Sequence, residues 1–292
     1  MQKVLITGID SFTGKHLSRY LQKNGYDIYG TSLSKNDNKK YRCDITKIDD
    51  IKSILSIVKP DFLIHLSGIS FAGHGNSEEF YKVNTIGTTN ILDSIVDLKL
   101  DLKKIILASS ATVYGNQGVE ILDESLCPKP ANHYGASKYA MESLVNGYFS
   151  KIPIIITRPF NYTGKGQAEH FLIPKIVNHY KEKKETIELG NLEVSREFND
   201  VGFVCEVYKK LLESAVQSEI VNIATNTGIK LLDVIEMMNA IAGYNIKVKV
   251  NPLFVRKDDI KILTGSSQKL TELIGNTKQK EFKSILKDMF DN

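Results

Sequence analysis

The sequence predicts a doubly wound α/β fold, in which helices cover both faces of a parallel sheet. Three observations predict it. Short runs such as Lys3–Thr7, Phe62–Leu66 and Lys104–Ala108 are apolar almost without break, as strands buried on both faces must be. Between such runs the apolar residues recur at helical spacing, with Ile51, Ile54, Leu55 and Val58 at i, i+3, i+4 and i+7. A glycine turn follows the first strand directly and opens a helix.

In chain order, Lys3–Thr7 is the first strand, His16–Asn24 a helix and Tyr26–Thr31 the second strand. The helix Asp49–Val58 stops at Pro60-Asp61, which leads into the strand Phe62–Leu66. A long helix is expected over Glu78–Leu98, then the strand Lys104–Ala108, the helix His133–Phe149 and the strand Ile152–Thr157. Beyond Arg158 the rhythm changes. Segments 170–184, 185–200, 219–225 and 230–250 mix helices, short strands and polar loops, and no Gly/Ser-rich linker precedes them. The expected division is therefore a sheet unit over 1–158 and a smaller α/β lobe over 159–292 that closes over a cleft, with the chain free to cross back to the sheet.

At 292 residues, 42% hydrophobic and 25% charged, the chain is long enough for one large domain or two modest ones at ~150 residues each. No apolar run approaches the ~20 residues of a membrane span, and the start carries no basic, apolar and small-residue leader pattern. A cytoplasmic protein with no membrane partner is expected. The 3 cysteines stand far apart and the 6 histidines are scattered, so neither a disulfide framework nor a metal site is expected. The net charge of +4 is spread along the chain, with no basic stripe of the kind that marks a nucleic-acid binder.

The turn reads Thr7-Gly8-Ile9-Asp10-Ser11-Phe12-Thr13-Gly14. A strand, a tight turn and a helix N-terminus make an anion site, because unpaired amide N–H groups and the helix dipole point at a phosphate. Ser11 stands where a central glycine is usual, and its hydroxyl suits a helix cap and a phosphate contact. Gly8, Ser11, Phe12 and Thr13 are the expected cofactor contacts, and Asp10 should turn to solvent. After the second strand no Asp or Glu is available for a ribose 2′-hydroxyl; Ser32 and Lys35, with Lys39, Lys40 and Arg42 nearby, suit a 2′-phosphate instead. NADP(H) is expected over NAD(H) on that ground.

Tyr134 and Lys138 lie at i and i+4 on one helix face. An ammonium beside a phenol lowers the phenol's pKa and fits it to exchange protons near neutrality. The strand end Ala108-Ser109-Ser110-Ala111-Thr112-Val113-Tyr114-Gly115 precedes the pair, and ligands bind at such C-terminal strand ends in this architecture. A Ser, a Tyr and a Lys there can polarise and protonate a carbonyl oxygen. His65 reads as a hydrogen-bonded core histidine.

The chain resembles the extended short-chain dehydrogenases/reductases, the nucleotide-sugar epimerases, dehydratases and reductases built on the Rossmann fold. The landmarks run in family order through nearly the whole length: Thr7-Gly8…Phe12-Thr13-Gly14, Cys43-Asp44-Ile45, His65-Leu66-Ser67-Gly68, Val83-Asn84-Thr85-Ile86-Gly87-Thr88, Ser109 to Gly115, Tyr134…Lys138 and Arg158-Pro159-Phe160-Asn161. The resemblance implies a catalytic triad of Ser110, Tyr134 and Lys138. It implies that Asp44, with Ile45, holds the adenine and that Leu66, Ser67 and Gly68 pass under the dinucleotide. It also implies a homodimer paired through the helices near 78–98 and 133–149.

Dehydratases of this type carry Asp-Glu just after the catalytic Ser/Thr; here Ala111-Thr112 stands there, so that reaction is not expected. Epimerases hold NAD through an acid after the second strand. Its absence tilts the expectation to a reductase that spends a dissociable NADPH on the C4 ketone of a nucleoside-diphosphate 4-keto-6-deoxyhexose, for surface glycans. The stretches Arg158–Gln167, Gly190–Val201 and Arg256…Leu270 are similar to the GDP-4-keto-6-deoxy-mannose reductases. By that likeness Asn161, Arg196 and Arg256 contact the nucleotide diphosphate, and Ser70 and Thr112 line the substrate site. The Gly-Trp that usually follows the final helix is replaced by Gly275-Asn276, and the chain has no tryptophan. Two alternatives stay open: an NDP-sugar 4-epimerase with tightly bound NAD, and a cofactor-sensing binding protein, which the intact Tyr134/Lys138 pair argues against.

Overall fold

A computed structural model describes residues 1–34, 36–70, 75–255 and 260–291. The first part runs β1 (Lys3–Thr7), α1 (Phe12–Lys23), β2 (Asp27–Ser32), β3 (Lys40–Arg42), α2 (Ile48–Val58), β4 (Phe62–His65), α3 (Ser77–Phe80), a π-helical Tyr81–Ile86, α4 (Gly87–Asp97), β5 (Lys104–Ala108), α5 (His133–Val145) and β6 (Ile154–Pro159). Then follow β7 (Tyr162–Thr163), α6 (Leu172–Lys181), β8 (Thr186–Leu189), β9 (Ser195–Glu197), β10 (Asn199–Asp200), α7 (Val201–Glu213) and β11 (Glu219–Ile223). The chain ends with β12 (Gly228–Lys230), α8 (Leu231–Ala242), β13 (Lys247–Val250), β14 (Ile262–Leu263), α9 (Gln268–Ile274) and α10 (Phe282–Asp291).

Seven strands form one sheet in the order β11-β6-β5-β4-β1-β2-β3, every pair parallel. The alternation of side chains along each strand explains the unbroken apolar runs. Val4, Ile6, Ile64 and Ile106 face one layer, with Leu17 and Leu21 of α1 and Val204, Val207, Tyr208 and Leu211 of α7. Leu5, Leu63, Ile105 and Leu107 face the other, with Ile51, Ile54, Leu55 and Val58 of α2, Ile91, Leu92 and Ile95 of α4, and Met141 and Val145 of α5. A third apolar cluster joins α6, α8 and α10 in the smaller C-terminal α/β region. β11 returns from beyond that region's first elements to close the sheet beside β6. Among the described residues no helix is long and apolar enough to cross a membrane.

Three local differences from the expected elements have physical causes. α1 begins four residues early because Ser11 caps it, its Oγ accepting the Gly14 amide at 3.0 Å. The expected helix Glu78–Leu98 is broken by the π-helical turn, whose wider winding turns buried Asn84 and Thr85 toward α5. There Asn84 Nδ2 donates to Ser137 Oγ (3.0 Å) and Thr85 Oγ1 to the Ser137 carbonyl (2.9 Å). β3, Lys-Tyr-Arg at the sheet edge, has no apolar run to announce it.

Candidate active site

The site is built where β1, β4 and β5 end. Gly8 adopts φ +70°, and a Cβ there would stand 2.9 Å from the Ser67 amide nitrogen. Glycine is therefore required by both backbone conformation and close approach. The Thr7 hydroxyl ties the two segments, accepting the amides of Leu66 and Ser67 at 3.2 Å each. It also meets His65 Nδ1 at 2.7 Å, while His65 Nε2 meets the Thr88 hydroxyl at 2.9 Å. His65 is thus the hydrogen-bonded core histidine expected.

Burial, and secondarily the charge of Lys138, push the His65 pKa down to about 3. The unfolded chain takes up a proton below about pH 6.5 that the folded chain refuses until about pH 3, so stability is lost as pH falls through that window. Lowering the pH from 6.5 to 5.5 is expected to cost about 1 kcal/mol from this group. Denaturant titrations of the wild type and His65→Asn check this: the slope should flatten in the variant, and equal slopes would contradict it.

Around the glycine turn, α1 has no acidic residue in its first turn, and its leading amides form a donor set that fits a pyrophosphate. Phe12 stacks on Tyr162 (ring centroids 6.2 Å apart), and the buried Thr13 hydroxyl meets the Tyr162 phenol at 2.7 Å. Tyr162 was not foreseen. Of the expected adenine contacts, Asp44 forms a turn, its Oδ1 accepting the Thr46 amide (3.0 Å) and hydroxyl (2.7 Å). Ile45 is buried against Gly87. Ser67 is half-buried, as is Leu66; a Cβ on Gly68 would lie 3.3 Å from Lys138 Nζ.

Asp10 is exposed, as expected, but it is not without partners. Its carboxylate accepts the Ser34 hydroxyl at 2.8 Å and pairs with Lys40 at 3.4 Å, and the Ser34 hydroxyl lies 2.6 Å from that of Ser32. Burial works to raise the Asp10 pKa, but hydrogen bonds from Ser34 and Ser32 and the charge of Lys40 carry it below the usual value. An acid therefore does stand at the end of β2, supplied by the first loop.

Three consecutive residues leaving β5 meet α5. The Ala108 carbonyl accepts Lys138 Nζ at 2.8 Å, Ser109 Oγ donates to Glu142 Oε1 at 2.5 Å, and the Ser110 side chain lies beside the Tyr134 phenol, whose pKa it works to lower. Ser110 Oγ also accepts the Thr112 amide (3.2 Å) and hydroxyl (2.9 Å). The structure thus brings Ser110, Thr112, Tyr134 and Lys138 together. The phenol pKa is not lowered as expected: burial raises it, with Ser110 opposing, because the Lys138 ammonium is turned to the Ala108 carbonyl. Burial pushes Lys138 itself down to about 8 despite the opposing charge of Glu142.

The expected substrate contacts are more scattered. Ser70 is exposed at the end of the segment after β4. Asn161 accepts the Asn199 amide through its carbonyl at 2.8 Å, joining β6's exit to β10. Arg196, on β9, donates from Nη1 to the carbonyls of Ser195 and Lys261, 3.0 Å each. Lys35 and Arg256 lie outside the described residues.

Among known proteins, the chain is 38% identical over 292 residues to a GDP-6-deoxy-D-talose 4-dehydrogenase of Aggregatibacter actinomycetemcomitans, covering 99% of this chain and 97% of that one. It is 27% identical to a GDP-6-deoxy-D-mannose reductase of Pseudomonas aeruginosa, covering 94% and 91%. A solved structure of a candidate epimerase from Burkholderia cenocepacia superposes with a TM-score of 0.93 at 35% identity, over 99% of this chain and 97% of that one.

The expected preference for NADP(H) is corrected. Structures sharing the fold at 20–24% identity carry NAD, among them MoeE5, the UDP-glucuronic acid 4-epimerase of Bacillus cereus and the UDP-glucose 4-epimerase of Thermus thermophilus. The Pseudomonas RMD complex carries NADPH. In this chain Lys39 and Lys40, which were to hold a 2′-phosphate, are already paired with Asp27 and Asp10. The profile of the NAD dependent epimerase/dehydratase family matches residues 4–224. The chain belongs to that family of NAD(P)-binding oxidoreductases and epimerases.

Proposed function

We propose that the chain uses NAD to interconvert the hydroxyl and the ketone at C4 of a nucleoside-diphosphate-linked 6-deoxyhexose. The observation that carries this reading is the convergence of Ser110, Tyr134 and Lys138 at the end of β5, beside the glycine turn. The 6-deoxyhexose class is supported by the GDP-6-deoxy-D-talose and GDP-6-deoxy-D-mannose relatives. Bound NAD supplies the acceptor for the C4 hydride and, once reduced, its donor. Gly8, Ser11, Phe12 and Thr13 would hold the pyrophosphate, Leu66, Ser67 and Gly68 the underside, and Asp44 and Ile45 the adenine end. Tyr134 exchanges the proton of the C4 oxygen, and Ser110 donates a hydrogen bond to that oxygen. Lys138, whose pKa is pushed down to about 8, resupplies the phenol's proton and would hold the nicotinamide ribose. Asn161 and Arg196 serve the diphosphate, Arg196 through its planar fork, and Ser70 and Thr112 flank the sugar.

Two outcomes share this chemistry. A 4-dehydrogenase or reductase releases a changed cofactor; a 4-epimerase restores it. The tilt to a reductase rested on dissociable NADPH, and with NAD in its place that support falls away. NAD-bound 4-epimerases of the same fold now lend the epimerase more support, while the 4-dehydrogenase relative favours net oxidation and reduction. The test is to heat-denature the purified protein, assay released NAD, and then offer GDP- and dTDP-linked 6-deoxyhexoses and their 4-ketones with NADH or NAD. Co-purified NAD with C4 inversion and no net NADH change is the epimerase outcome. Stoichiometric NADH consumption or formation is the dehydrogenase outcome. No reaction at C4 in any combination overturns the proposal.

A further inference from the structure

The exit of β5 lies against three successive turns on one face of α5 and is fastened to two of them. Ala108, Ser109 and Ser110 meet Lys138, Glu142 and Tyr134 in turn. Positions 134, 138 and 142 are spaced by four, so they share a helix face. The middle contact is the buried one. Glu142 is 2% exposed, and besides the Ser109 hydroxyl it receives Arg158 of β6 in a two-point grip, Nε to Oε1 at 3.0 Å and Nη2 to Oε2 at 2.7 Å. The Arg158 guanidinium lies over the Tyr114 ring at 4.8 Å, and the Tyr114 phenol donates to Asn222 of β11 at 2.8 Å. A carboxylate so far from solvent is costly, and a buried ion pair is weak evidence for stability by itself. This one stands one helical turn beyond the candidate catalytic ammonium and grips the residue between that ammonium's carbonyl partner and Ser110.

We propose that Glu142, held by Arg158, is the positioning residue of the site: it fixes the Ala108–Ser110 exit in register with Tyr134 and Lys138 and sets a fixed carboxylate one helical turn from the Lys138 ammonium. The proposal rests on the reading of Tyr134 and Lys138 given above. The groups facing Lys138 are few. Tyr134 and Glu142 share its helix, His65 on β4 is neutral in the working range, and Arg158 on β6 is ion-paired with Glu142. Glu142 is thus the one negative charge acting on Lys138 among the described residues.

Glu142→Gln keeps the shape and the acceptor for Ser109 and removes the charge. The double variant Glu142→Gln/Arg158→Met also removes the cation this would strand, and so keeps the fold if the single variant does not. The Lys138 side-chain NMR signal, assigned with Lys138→Met, is titrated in the wild type and in both variants. Its midpoint is expected to fall by about one pH unit, with the alkaline limb of kcat moving down alongside it and KM within about two-fold. A folded double variant with an unmoved Lys138 midpoint overturns the proposal and leaves Glu142 a purely structural group. The titration needs no substrate. A chain that shifts as expected yet turns over no C4 substrate would retain the positioning role and discard the assigned reaction.

Discussion

Tyr134→Phe is expected to lower turnover by about 10²–10⁴-fold while NAD still binds. The substitution removes one oxygen and leaves the ring, which packs at 6.1 Å from Phe80, in place. What is lost is the group that passes a proton to or from the C4 oxygen. Burial raises the phenol pKa and depresses that of Lys138 to about 8, so the ammonium gives up its proton more readily than the phenol does. A neutral phenol beside a lysine that titrates near working pH is poised to hand its proton to a developing alkoxide and be resupplied. Calorimetric titration with NAD alongside steady-state assays separates binding from chemistry. Turnover within a few-fold of wild type would remove Tyr134 from the mechanism.

Gly14→Ala is the second large effect, and it acts through backbone. Gly14 is buried in the first turn of α1, and a Cβ there would meet the Gly8 carbonyl oxygen and, at 2.7 Å, that of Ile9. Neither atom is the end of a flexible side chain, so the turn between β1 and α1 must open. A cost of about 2 kcal/mol in stability is expected, as for overpacking generally. NAD affinity should weaken at least about ten-fold, because the same opening moves the amides offered to the pyrophosphate. Gly147→Ala is the control, since a Cβ there meets nothing within 4 Å. Equal melting temperatures and NAD affinities for the Gly14 variant and the control would contradict the account.

Much of this site was legible because the doubly wound fold gathers strand C-termini at one edge. The exit of the strand ending at Ala108 and the turn after Thr7 had to converge once the two strands were read as parallel. The helix spacing of Tyr134 and Lys138 then needed no tertiary information. Other parts depend on contacts that no local pattern encodes. Tyr162 reaches Thr13 across 149 positions, and its own segment reads only as a polar turn. Asp10 is the solvent-facing loop residue expected, but nothing in the string reveals that its carboxylate also reaches Ser34 and Lys40. The end of β2 read as lacking an acid because its acid comes from earlier in the chain, not from the residues that follow the strand. Glu142 sits four residues beyond Lys138, a visible spacing, but a glutamate in a helix ordinarily faces water. Its burial is set by Arg158, which comes from the next strand.

The return of β11 to the sheet has a consequence for how the protein is made. On the ribosome, β6 emerges with the run Ile154-Ile155-Ile156 and no neighbour on its outer side. Its partner is not synthesised until Ile223 has been added, after β7 to α7 have come out. At ~5–20 residues per second the nascent chain carries that apolar edge bare for on the order of several seconds. An unpaired flat edge of this kind invites pairing with a neighbouring chain on the same polysome. Chaperone dependence and inclusion-body formation should therefore follow the speed of translation between Asn161 and Ser218 more closely than the stability of the finished fold.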